Sequence, residues 1–166
     1  MGYTHYWNFA GKVAPKDLRD GEKRFAEAAR IINACADKVK GMGVEIAGGD
    51  GNGNPIINER KICFNGKGKE SHETFYVALD RDGWDFCKTS RKPYDILVCL
   101  SLLALKSVFG EDFDYTSDGI TKEDYEDREN NEYWKKINFV PEGPEKEWQA
   151  AYKVWEDVTT ELGLAA

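Results

Sequence analysis

The segment from Pro93 to Phe109 constrains the fold more than any other part of this 166-residue chain. Its apolar residues leave little polar face on a helix: Ile96, Leu97, Leu100, Leu103, Ala104 and Val108. A helix that is apolar nearly all round has to be enclosed by other elements. Pro93 suits a helix start and Gly110 a helix end. We therefore predict a central buried helix. Its apolar run is too short for the roughly 20 residues of a membrane span, so no membrane span is expected.

Periodicity places the other elements around this helix. Alternating aromatic residues predict a strand over residues 3–9, and apolar three- and four-residue spacing predicts helices. The predicted helices cover about residues 17–40, 122–136 and 145–162, and the further strands cover 44–47, 60–65, 74–79, 84–88 and 113–116. The strands between residues 60 and 88 suggest a meander. The sequence thus predicts a single α+β domain over residues 1–166, with a two-layer, mainly antiparallel sheet packed by helices and additional C-terminal helices.

Charge is distributed unevenly along the chain. Residues 1–110 hold 17 Lys and Arg against 14 Asp and Glu, whereas residues 111–166 are strongly acidic and the whole chain has a net charge of −7. Extended nucleic acid needs a basic face, so we do not expect it as a partner. The four cysteines form no Cys-x-x-Cys pair and the N-terminus lacks a secretory pattern, which predicts free thiols, no metal site and a cytoplasmic protein.

The junction between a predicted strand and the apolar helix concentrates cations and hydroxyls. Lys88, Thr89, Ser90, Arg91 and Lys92 follow one another directly before the helix start. Helix N-termini attract anions through their unpaired N–H groups and partial positive charge. We expect a small anion here. The alternative is that a hydroxyl caps the helix while the cations point into water.

Two other segments offer candidate residues. The polar turn after the strand at 60–65 carries Asn65, His72 and Glu73, and an imidazole there suits general base catalysis with Glu73 assisting. An ordinary solvated turn is the alternative. In the first strand, alternation puts Tyr3, His5 and Trp7 on one face and Thr4 and Tyr6 on the other. One face must be core, and the other offers rings for stacking unless both are packed.

Five motifs are similar to those of an uncharacterised family of small proteins encoded by bacteria and their phages. They are Gly2 to Trp7, Phe64-Asn65-Gly66, His72 to Phe75, Phe86 to Asp95 and Ser117-Asp118-Gly119. The resemblance covers residues 2–119 and leaves residues 120–166 as an acidic helical extension. It implies no assigned activity, only that these polar and aromatic segments belong together.

We expect this protein to bind a small phosphorylated, nucleotide-like ligand, in the manner of phage proteins that sequester nucleotide-derived immune signals. Arg91, Lys92, Thr89 and the helix start, flanked by Lys88 and Ser90, would take the phosphate. Tyr3, Trp7 or Tyr94 would stack the base, and His5, Asn65 and His72 would donate or accept hydrogen bonds. No cofactor is expected.

Two alternatives belong to other classes. The first is a nucleotide-processing enzyme, a hydrolase or phosphodiesterase, with His72 as base and Glu73 or His5 assisting. The second is a protein-binding inhibitor that uses the acidic C-terminal helices, whose aromatic residues equally fit a homo-oligomer.

Overall fold

A computed structural model describes residues 2–10 and 18–164, without the side chains of residues 18 and 19. The predicted helix start at Asp17 lies outside the described residues. In chain order the elements are β1 (Thr4–Phe9), α1 (Leu18–Gly41), β2 (Ile46–Ala47), β3 (Ile56–Ile57), β4 (Lys61–Gly66), β5 (Phe75–Ala78), β6 (Gly83–Lys88), α2 (Asp95–Phe109), β7 (Phe113–Ser117), α3 (Lys122–Glu126), α4 (Glu132–Lys136) and α5 (Lys146–Glu161). Antiparallel sheets pack against helices, which confirms the α+β fold class.

The N-terminal strand β1 is the middle strand of a three-stranded antiparallel sheet, which we call the central sheet. β6 lies on one side of β1 and β7 on the other. The register is illustrated by Tyr6, which lies opposite Phe86 on β6 and opposite Thr116 on β7. One face of this sheet carries the buried side chains of β1, and the other faces solvent.

The remaining strands form a second antiparallel group around β4. β5 pairs with β4, and the short strands β2 and β3 pair with opposite ends of β4. The predicted meander is therefore correct for β4 and β5 but wrong for β6. The chain leaves this group over residues 79–82. β6 then pairs with β1, from Thr4–Lys88 to Phe9–Gly83. Local sequence pattern does not encode a partner that lies nearly eighty residues away.

Helix α2 is the centre of the core, as its apolar sequence predicts. All but four of its residues are buried, and it packs against α1 and α5. The exceptions are Ile96, Lys106, Ser107 and Val108. Although apolar, α2 has 15 residues, and no helix in the described part of the chain is long and apolar enough to cross a bilayer.

The C-terminal region differs from its prediction in two respects. The single helix expected over 122–136 is divided into α3 and α4 by a turn, because the Asn131 side chain accepts a hydrogen bond from Trp134 N and caps a new helix. Helix α5, which the sequence predicted as part of an extension, is part of the main core. It buries Trp148, Ala151, Val154 and Val158 in the same core as α1 and α2.

Candidate functional site

The three rings that the sequence suggested for stacking all belong to the core. Trp7 is only 3% exposed and packs against Phe75 at 5.0 Å between ring centroids. Tyr94 is fully buried, and its hydroxyl donates to the carbonyl of Glu73 at 2.6 Å. Tyr3 is also buried. The prediction that these rings stack a base is therefore wrong, because none presents a free face to a ligand.

A buried carboxylate, Asp95, organises the strand-to-helix junction. His5 Nε2 lies 2.7 Å from Asp95 Oδ1, which also accepts from the Thr89 hydroxyl. The Cys99 thiol donates to Oδ2 at 3.6 Å. Burial raises the pKa of Cys99 well above its ordinary value, so the thiol keeps its proton. His5 and Thr89 are thus committed to an internal network and are closed to a ligand.

The same cluster contains three kinds of metal ligand, although the sequence predicted no metal site. The ligand atoms of His5, Asp95 and Cys99 lie within 4.8 Å of one another. Two ligands of a tetrahedral zinc ion lie about 3.3 Å apart, given metal–ligand bonds of about 2.0–2.1 Å. The 2.7 Å separation of His5 and Asp95 is shorter and fits a direct hydrogen bond. The arrangement is that of a hydrogen-bonded core network.

The cations at the start of α2 are paired with carboxylates of the chain itself. The Arg91 guanidinium lies 2.7 Å from Glu147 and stacks over the Tyr3 ring at 4.1 Å. The adjacent carboxylate of Glu147 raises the pKa of Arg91. Lys92 lies 4.0 Å from the carboxylate of Glu70 and donates to the carbonyl of Lys69 at 3.1 Å. A phosphate at this position would have to displace Glu147, so the expected open anion site is already occupied from within.

Asn65 and Glu73 have structural roles. The amide of Asn65 donates to the carbonyls of Gly49 and His72 and accepts from the N–H groups of Gly66 and His72. Its hydrogen-bonding capacity is used within the turn and in the contact with the loop at Gly49, which corrects its assignment to a ligand. Glu73 Oε2 accepts from the N–H of Lys88 at 2.7 Å. Glu73 therefore joins its turn to β6 and does not orient the His72 ring.

His72 and Ser90, in contrast, are brought together at the surface. The exposed His72 ring places Nδ1 2.7 Å from the carbonyl of Lys88 and Nε2 3.3 Å from Ser90 Oγ. Ser90 and Arg91 both have left-handed backbone, with φ of 50° and 59°. The sequence predicted His72 as a base, but it paired the ring with Glu73 and did not single out Ser90 as its partner.

The outer face of the central sheet carries an aromatic group that sequence reasoning missed in part. Trp84 is 64% exposed and stacks with Tyr6 at 6.2 Å and 23°, and Phe86 lies 5.3 Å from Trp84. Lys88 follows at the same two-residue spacing, so it shares their face. We call Tyr6, Trp84, Phe86 and Lys88 the outer platform. The alternation of Trp84 and Phe86 with Asp85 and Cys87 was the signal available in the sequence.

A cavity of about 160 Å³ lies beside the outer platform, lined partly by Tyr6, Asn8, Trp84 and Thr116. A larger cavity of about 360 Å³ lies on the second group of strands, around Tyr76. Its Arg60 side chain is paired with Glu22 at 2.8 Å.

Comparison of this chain with models of known families, with curated proteins and with solved structures found no match.

Proposed function

We propose that the outer platform binds a small planar anion of the nucleotide type. The observation that carries the proposal is the arrangement on one sheet face: three aromatic rings and one lysine, set by the alternation of β1 and β6. Ring surfaces of this kind stack a nucleobase with little regard to its identity. A nucleotide bound and retained here would be sequestered, which is the function first expected for the chain.

The rings are supported as an exposed group. Tyr6 is anchored at its hydroxyl, which donates to Asp118 Oδ1 at 3.2 Å, while Trp84 and Phe86 are more than two-fifths exposed. Contiguous exposed apolar groups on a protein surface can mark binding sites. The tilted and stacked contacts between the rings already hold Trp84 in place, which lowers the entropy that a ligand would have to remove.

Lys88 supplies the charge. No carboxylate lies within 4.0 Å of its ammonium among the residues the structure describes, whereas Arg91 contacts Glu147 and Lys92 lies 4.0 Å from Glu70. Its aliphatic chain passes close to Gly2, where an added Cβ would meet Lys88 Cε at 2.4 Å. The phosphate of a nucleotide whose base stacks on Trp84 would meet Lys88, which lies at the end of β6. This relocates the expected phosphate contact from Arg91 to Lys88.

Isothermal titration calorimetry with a panel of adenine and guanine nucleotides tests the proposal. Loss of one stacking partner is worth roughly 1 to 3 kcal/mol, so Trp84→Ala should weaken binding about 5- to 150-fold. Lys88→Ala should weaken the binding of phosphorylated nucleotides but leave the binding of nucleosides unchanged. Tyr133→Ala is the matched control, because Tyr133 is 66% exposed but lies on α4.

The two variants separate the outcomes. Equal affinity of wild type, Trp84→Ala and Tyr133→Ala would refute the platform as the ligand site. A Lys88→Ala protein that loses nucleosides and nucleotides equally would contradict the role given to its charge.

A further inference from the structure

We propose that Ser90 and His72 form a nucleophile–base pair that hydrolyses carboxylic esters. Ser90 Oγ lies 3.3 Å from His72 Nε2, close to the reach over which a histidine takes a proton from a serine. Hydroxyl–imidazole pairs in unliganded sites are often this long and shorten when substrate binds. This activity goes beyond ligand binding and does not depend on the side chains of the outer platform.

The tautomer of the neutral His72 ring follows from its other partner. Nδ1 lies 2.7 Å from the carbonyl oxygen of Lys88, which can only accept. Nδ1 therefore carries the hydrogen and donates, and in the neutral ring Nε2 is left with its lone pair directed at Ser90. A third group that orients the base is the arrangement that activates serine in nucleophilic catalysis. Here a backbone carbonyl takes that part.

The backbone at Ser90 holds the hydroxyl outside the regular elements. Ser90 N donates to the carbonyl of Tyr3 at 3.2 Å, and the adjacent Thr89 N donates to the same oxygen at 2.9 Å. Ser90 then turns into the left-handed region at φ 50°. Left-handed backbone is costly for a residue with a side chain, and such conformations cluster at functional sites. The turn presents Ser90 between β6 and α2, beside the exposed His72 ring.

The next peptide group offers a donor for a developing negative charge. Within the described residues, the N–H of Arg91 has no hydrogen-bond acceptor, although its neighbours Ser90 and Lys92 both donate. The N–H of the residue after the nucleophile is a common oxyanion donor in serine hydrolases. Arg91 directly follows Ser90 and its N–H is free of any acceptor in the described part of the chain, so this N–H is the donor that would stabilise the oxyanion formed when Ser90 attacks an ester.

The reaction proceeds in two steps whose protons balance. Ser90 Oγ attacks the ester carbonyl carbon while its proton passes to His72 Nε2, and the oxyanion collapses as the carbon–oxygen bond to the alcohol breaks. The alcohol departs with the proton from His72, and the acyl group stays bound to Ser90. Water then gives a proton to His72 and attacks the acyl carbon, and the acid departs as Ser90 recovers its proton.

Carboxylic esters fit this site better than phosphate esters. A carbonyl addition develops charge on one oxygen, which a backbone N–H can stabilise. Phosphoryl transfer spreads charge over three oxygens and is generally served by several cations or metal ions. The guanidinium of the next residue, Arg91, is paired with Glu147. The dyad lies on the open surface, so small activated esters should be accepted.

A fluorophosphonate probe tests the inference without knowledge of the natural substrate. The serine oxygen of an activated serine displaces fluoride from such a probe, so the purified full chain should gain the mass of one probe less hydrogen fluoride. Peptide mapping should place the adduct on Ser90. We expect no labelling of Ser90→Ala and at least a 100-fold slower labelling of His72→Gln. Ser71→Ala is the matched control, because the Ser71 hydroxyl instead donates to the carbonyl of Gly68.

The outcomes are distinct from those for nucleotide binding. Absence of labelling in wild type, or equal labelling rates in wild type and His72→Gln, would overturn the dyad. Circular dichroism of each variant excludes unfolding as the cause, and the exposed position of His72 makes a folded variant the expected result. Ser90→Ala should bind nucleotides as wild type does, so a failure of the outer platform and a failure of the dyad give different results.

Discussion

Glu147, near the start of α5, lies 2.7 Å from the guanidinium of Arg91, which joins the acidic C-terminal helix to the strand-to-helix junction. The same guanidinium lies 4.1 Å from the centre of the Tyr3 ring. Arg91 therefore connects the residue before β1 and the segment leading into α2 with the start of α5. Residues expected to hold a ligand's phosphate instead hold the chain's own carboxylate.

A double-mutant cycle should measure this connection. Arg91→Ala, Glu147→Ala and the double variant should give a coupling energy of about 0.2–1 kcal/mol in urea unfolding, because both side chains are partly exposed. The coupling should shrink as sodium chloride is added, since salt screens partly exposed charges. A coupling of zero at low salt would show that the pair adds no stability.

Loss of the Asp95 carboxylate should be among the most damaging single changes. Asp95→Ala leaves the buried donors of His5, Thr89 and Cys99 without their acceptor, and each such group costs about 1–3 kcal/mol. We expect the free energy of unfolding to fall by about 3–5 kcal/mol in chemical denaturation. Asp114→Ala, at a side chain 74% exposed, is the control and should change stability little. Equal effects of the two substitutions would contradict the network.

The C-terminal helix should be indispensable for folding. Trp148 is fully buried, stacks on Tyr115 at 5.7 Å and donates from Nε1 to Ser117 at 3.1 Å. Trp148→Ala should therefore lower the free energy of unfolding by about 3–5 kcal/mol. Truncation after Gly119 removes this side chain and the rest of α5, so the shortened chain should lack a cooperative thermal transition. A truncated chain that melts like wild type would show that α5 is dispensable.

Stability should decrease in alkaline solution because buried thiols resist ionisation. Burial raises the pKa of Cys35 from 9.0 to about 12. Between those values the folded state binds more protons than the unfolded state, so stability falls as pH rises, by about 1.4 kcal/mol per pH unit for each such thiol. Cys35→Ala should flatten the slope of unfolding free energy between pH 9.5 and 11 by that amount. An unchanged slope would exclude Cys35 as a contributor.

Relief of the left-handed backbone at Ser90 should stabilise the fold. Glycine adopts φ 50° without the steric cost that other residues meet, so Ser90→Gly should raise the free energy of unfolding by up to about 1 kcal/mol. The same variant should lose fluorophosphonate labelling. Thermal melts and mass spectrometry on one sample test both statements, and a destabilised Ser90→Gly would contradict the strain argument.

Much of the fold was accessible from the sequence. Apolar spacing predicted α1, α2 and α5 closely, and alternation placed Tyr3, His5 and Trp7 on one face of β1. Alternation alone could not say which face is core. That choice depends on β6 and β7 pairing with β1, contacts between residues about 80 to 110 apart in the chain. The division of α3 from α4 depended on a side-chain cap at Asn131, which competes with continuation of the helix.

The candidate site was harder to predict because charge in a sequence does not reveal its partner. Arg91 is followed by Glu147 only after 55 residues, and no local pattern joins them. His72 and Ser90 likewise meet only in the folded chain, where the His72 ring contacts the carbonyl of Lys88, two residues before Ser90. Trp84 and Phe86 could have been found, because their two-residue spacing on a strand with Lys88 is visible in the sequence.

Nuclear magnetic resonance with isotope-labelled protein tests the central claim most directly, by adding a nucleotide and mapping the backbone and indole shifts. We expect the largest changes at the Trp84 indole N–H and at the amides of Tyr6, Phe86 and Lys88. Shifts confined to the cavity around Tyr76, or to Arg91 and the start of α5, would contradict the outer platform, as would the absence of any shift at millimolar nucleotide.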